Sequence, residues 1–73
     1  MKHTERHLVT RHELAARLRQ LADQWERGDL AIGYVRAAAP ELAEMEVALT
    51  LGESLATLGI KVEWRREAAR RLA

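Results

Sequence analysis

Two period-two runs with a turn between them restrict this chain most. In the first, Met45, Val47, Leu49 and Leu51 alternate with Glu44, Glu46, Ala48 and Thr50. In the second, Leu58, Ile60, Val62 and Trp64 alternate with Gly59, Lys61, Glu63 and Arg65. Successive side chains of a strand point to opposite faces, so each run acquires one apolar and one polar side. Gly52-Glu53-Ser54 supplies a turn, and the pair predicts an antiparallel hairpin. Glu44 or Glu46 opposite Lys61 or Arg65 would add a favourable cross-strand pair of about 0.2–1 kcal/mol. A helical reading of residues 41–51 competes. Pro40 is a legal first helical residue, and Leu42, Met45 and Leu49 then form a stripe. Val47, Leu51 and Leu55 would point elsewhere, and the acidic positions fit the strand better. The competing reading leads to an all-helical bundle acting as a dimeric regulator.

Residues 10–28 carry the helical signal. Thr10 followed by Glu13 is a capping-box pattern. Leu14, Leu18, Leu21 and Trp25 then recur at i, i+4, i+7 and i+11. Gly28 offers a left-handed stop. Ahead of this helix, Lys2–Val9 alternates weakly and reads as a strand. Behind it, Leu30, Ile32 and Tyr34 alternate with Ala31, Gly33 and Val35, which reads as another. Ala37-Ala38-Ala39-Pro40 breaks the pattern. The expectation is an α+β fold in the order β-α-β-β-β, one helix packed on an antiparallel sheet. Residues 1–66 form the expected single small domain, and 67–73 a basic C-terminal tail.

Composition enters through the size of the core. Apolar residues are 48% of the 73 positions. Ala fills 13 of those 35, which leaves 22 larger side chains and no Phe. At this length roughly 60% of the unfolded surface is buried, so a lone monomer would be marginal. There is no cysteine to staple it. Self-association is therefore expected before any motif is considered. One helix covers one sheet face, so the expected contact is the mixed face around Leu42, Ala48 and Thr50, together with unpaired strand edges. No apolar run has membrane-spanning or signal-peptide length, and the absence of cysteine fits a reducing compartment, so a cytoplasmic location without a membrane partner is expected. Twelve basic against eleven acidic residues argue against a dedicated polyanion binder.

Chemistry-bearing residues are few. His3, Glu5 and His7 would share a strand face and could meet a metal, but no fourth ligand of good type accompanies them. Their ordinary role is a polar N-terminal segment, so no metal site is assigned. Glu44, Glu46 and Glu63 fall on the wet side of the hairpin, where nothing raises a carboxyl for acid catalysis. No catalytic or cofactor-binding residue is assigned. Lys61, Arg65, Arg66, Arg70 and Arg71 crowd the last thirteen residues. With Lys2, Arg6 and Arg36 they could form a basic rim that contacts phosphate or a partner. Stacking aromatics are nearly absent, so the cluster reads first as solubilising charge and second as a nucleic-acid contact. Trp25 and Trp64 read as structural anchors of a core or interface.

Val9-Thr10-Arg11-His12-Glu13-Leu14-Ala15-Ala16-Arg17-Leu18, then Leu21-Ala22, Gly28 and a closing Ile60-Lys61-Val62-Glu63-Trp64-Arg65 together resemble the amphi-Trp domain. Trp64 matches that family's tryptophan, and the likeness spans roughly residues 4–66. The family comprises small bacterial and archaeal proteins of uncharacterised role, so the resemblance implies a fold and no chemistry. The sequence thus predicts a small, non-enzymatic, self-associating interaction module without cofactor. A nucleic-acid-binding accessory protein is the alternative.

Overall fold

The computed structural model describes residues 1–66. They fold as one helix followed by four strands in two antiparallel pairs, a small α+β arrangement. Helix α1 spans Arg11–Arg27. Thr10 starts it from an extended backbone: its hydroxyl accepts from the Glu13 N–H at 3.0 Å, and its own N–H donates to the Glu13 carboxylate at 2.9 Å. Both donors would otherwise be orphans of the first turn. Gly28 ends the helix at φ +83°, a left-handed conformation that only glycine adopts cheaply.

The chain divides into two compact units, Met1–Glu41 and Leu42–Ala73, where the sequence suggests one domain over residues 1–66. In the first unit, α1 packs on strand β1, Asp29–Ile32, which pairs with β2, Val35–Ala38. Gly33 and Tyr34 form the two-residue turn between them. Gly33 has φ +60° and no described non-glycine residue has positive φ, which fits a type II′ hairpin. Two bonds fasten the end of the helix to this hairpin and its exit. The Ala31 N–H donates to the Gln24 side-chain oxygen at 2.8 Å, and the Ala39 N–H donates to the Gly28 carbonyl at 2.9 Å. Leu21, Gln24 and Trp25 are half-buried here, as are Leu30, Ala31 and Ile32. Leu14 and Leu18, nearer the start of the helix, stay exposed.

The second unit is a ribbon of two eight-residue strands, β3 (Glu44–Leu51) and β4 (Ala56–Glu63). Its register pairs Met45 with Val62, Val47 with Ile60, Leu49 with Leu58 and Leu51 with Ala56. The Gly52 N–H donates to the Leu55 carbonyl at 2.8 Å and closes the loop.

Three expectations need correction. Lys2–Val9 is not a strand; among the described residues no strand edge pairs with its backbone, and side chains hold it instead. Leu30–Val35 is not one strand but a hairpin, because Gly33 turns the chain. The expected single antiparallel sheet is not formed among the described residues, since β1–β2 and β3–β4 are separate pairs. The helical alternative for residues 41–51 falls with the eight-residue strand β3, and the all-helical regulator falls with it. The suggested basic tail at 67–73 lies outside the described residues.

Candidate interaction surface

Alternation of residue types makes the β3–β4 ribbon two-faced. The pairs Met45–Val62, Val47–Ile60, Leu49–Leu58 and Leu51–Ala56 lie on one face, so eight apolar side chains occupy it together. The other face carries Glu44 opposite Glu63, Glu46 opposite Lys61, Ala48 opposite Gly59 and Thr50 opposite Thr57. Glu46–Lys61 is one of the expected opposite-charge pairs. Glu44, however, meets a second carboxylate rather than a cation. Lys61 also reaches Glu63 along its own strand, with Nζ 3.5 Å from Oε2.

The apolar face is exposed. Its large side chains on β3 and β4 range from 48% exposed at Ile60 to 75% at Leu51, and Val62 is half-buried. No described residue anywhere is fully buried. Such a two-stranded ribbon is marginal in water unless something covers its greasy side. Sequence alternation suggests contact on the mixed side, around Leu42, Ala48 and Thr50. The structure puts the larger apolar surface on the opposite side, on residues expected to be core. The alternation is visible in the sequence; the register that gathers these eight side chains on one face is not.

The basic cluster is less coherent than its spacing suggests. Arg65 and Arg66 line a shallow hollow at the open end of the ribbon, together with Glu44, Val62, Glu63 and Trp64. Acid and base are thus mixed there, and Lys61 lies beside Glu63. Arg70 and Arg71 lie outside the described residues. Arg36, in the first unit, sits 3.8 Å from Asp29. Trp25 and Trp64 are each half-buried, one in each unit.

The N-terminal residues are clipped to the first unit by specific contacts. Arg17 Nε donates to Glu5 Oε2 at 2.7 Å and its Nη2 donates to Oε1 at 3.0 Å, a bidentate pair. The Tyr34 hydroxyl donates to the Lys2 carbonyl at 2.8 Å. His3 meets Tyr34 edge-on with centroids 5.2 Å apart, and its ring occupies the space a Cβ on Gly33 would need. The Arg17 hydrogen bond holds Glu5's carboxyl below the usual range; slight desolvation opposes this, and the positive charge of Arg17 adds to it. The suggested His3–Glu5–His7 face is thereby dispersed. Among the described residues no group of three His, Cys, Asp or Glu side chains could hold a metal. No described helix is long and apolar enough to cross a membrane.

Comparison with protein-family models, curated proteins and solved structures finds no match to this chain.

Proposed function

We propose that this protein is a non-enzymatic interaction module that self-associates through the apolar face of the β3–β4 ribbon. The observation that supports this reading is the exposure of the four cross-strand apolar rows. At about 25 cal/mol per Å² and about 1.5–3 kcal/mol per fully buried aliphatic side chain, covering them is a large gain for a chain this small. Patches of this kind on soluble proteins mark contact sites. A second copy is the simplest cover, because a closed two-fold pair offers each ribbon an identical apolar face. Kinship with the amphi-Trp domain is part of the same proposal. It is supported by the capped helix, the paired strands and the position of Trp64 directly after β4. A cytoplasmic setting suits the reading. The nucleic-acid alternative draws less support, since carboxylates interrupt the basic cluster.

Sedimentation equilibrium over a range of concentrations tests the proposal. A mass rising from 8.3 kDa towards twice that value is expected. A stable, folded species that stays at 8.3 kDa at high concentration overturns it.

A further inference from the structure

The N-terminal residues reach two parts of the first unit that lie far apart along the chain. Glu5 holds the Arg17 guanidinium in the middle of α1 with two bonds, at 2.7 and 3.0 Å. The Lys2 carbonyl accepts from the Tyr34 hydroxyl at 2.8 Å, in the turn between β1 and β2. His3 meets the Tyr34 ring at 83° and lies over Gly33, where any side chain would collide with it. The stretch from Lys2 to Glu5, at most about 10 Å when extended, thus spans from the hairpin turn to the helix. Every residue from Met1 to Thr10 is exposed, so little apolar burial rewards the ordering of this segment. The Arg17 and Glu5 side chains are 31% and 34% exposed, and an ion pair so placed contributes little against the entropy of holding it. A single neutral hydrogen bond contributes no more. Neither anchor alone therefore offsets the fixing of the backbone that leads to it. Once one anchor is made, the other partner is held nearby and only the short segment between them has still to be ordered.

We infer that residues 2–5 form a latch that opens and closes as one unit, its anchor on the helix and its anchor on the hairpin turn each depending on the other. The inference concerns the first unit alone and is independent of self-association through the ribbon. Release at Tyr34 leaves Glu5 on a longer and freer tether, so the Arg17 fork passes to solvent. Gln20 accepts from Arg17 Nη1 at 3.2 Å within the helix, and that bond does not involve the strap. Release at Arg17 acts in the other direction, and the His3 ring then leaves Gly33 and Tyr34. Helix α1 and the β1–β2 hairpin, fastened at the helix end through Gln24 and Gly28, thereby acquire a second and breakable link.

Nuclear magnetic resonance of the full-length chain reads each anchor while the other is altered. Tyr34→Phe removes the hydroxyl and keeps the ring. The expected result is that the Glu5 carboxyl returns to its ordinary titration range and that the Arg17 Nε–H exchanges several-fold faster, although the substitution deletes no bond to either. Glu5→Gln should reciprocally weaken the nuclear Overhauser contacts between His3 and Tyr34. Thr4→Gly alters neither anchor and adds freedom to the open segment between them. Both anchors should then loosen together, by about two- to fivefold. Far-UV circular dichroism checks that α1 persists in each variant. Unchanged Glu5 and Arg17 signals in folded Tyr34→Phe protein overturn the latch, and so does a Thr4→Gly chain in which one anchor loosens and the other does not. If Tyr34→Phe loses its helix, the Glu5→Gln and Thr4→Gly readouts decide by the same criteria.

Discussion

The two units hold themselves together by different means. The first uses specific polar contacts: a capping box, a left-handed glycine stop, a glutamine on a strand amide, a bidentate arginine and a tyrosine clip. Its apolar side chains are only half covered, yet most of its turning points have a named bond. The ribbon has the reverse character. Its strands are paired and its loop is closed, but the large aliphatic side chains of one face find no cover within the ribbon itself. One part is thus defined by its own internal contacts, and the other gathers an apolar face that its own two strands do not cover.

The comparison makes a prediction of separable effects. Val47→Asp with Leu58→Asp places two carboxylates in the middle of the apolar face. Loss of two aliphatic contacts, about 3 kcal/mol or more, should weaken association at least about 100-fold, measured by sedimentation. The α-helical circular dichroism should persist. If helix content collapses in step with association, the two units are not separable in the way proposed.

Gly33→Val attacks the first unit. It places a β-branched residue at φ +60° and drives its Cβ into His3. A loss of about 2 kcal/mol is expected in denaturant unfolding, with an unchanged association constant among molecules that remain folded.

The capped helix and the hairpin partners are legible in the sequence for the same reason. Thr10, Glu13 and Gly28 act through neighbours a few positions away, and strand alternation is local too. The β1–β2 hairpin escapes such a reading because a lone Gly33 resembles a strand residue until the pairing of Ile32 with Val35 is known. The N-terminal clip escapes it because Glu5 and Arg17 are twelve positions apart, and Lys2 and Tyr34 thirty-two. Nothing in such spacing announces contact. The register that sets Val47 opposite Ile60 is likewise a property of the fold, since the same alternation fits more than one pairing.

Smaller effects sharpen the contrast. Thr10→Ala removes one half of the capping box and should cost about 1 kcal/mol, seen as faster amide exchange at Glu13 and Leu14. Glu5→Gln should be the mildest, because its partner Arg17 is itself partly exposed. Its readout is the Tyr34 ring resonance, which shifts when His3 moves away. The pH dependence follows from the direction of the Glu5 shift. A carboxyl lowered in the folded state contributes fully above its ordinary range, and that contribution fades as pH falls through the lowered folded value. The clip should thus loosen only in acid, and Glu5→Gln should remove that acid-dependent step when the Tyr34 ring resonance is followed against pH.

Glu44 and Glu63 stand as direct neighbours where no loop joins the strands. Like charges in one rung push apart, while Gly52 and Leu55 tie the other extremity. Lys61, 3.5 Å from Glu63, takes up only part of that repulsion, so opening is expected to start at this mouth, with the rungs around Leu51 and Ala56 the last to part. Amide exchange should accordingly be faster at Met45 than at Thr50.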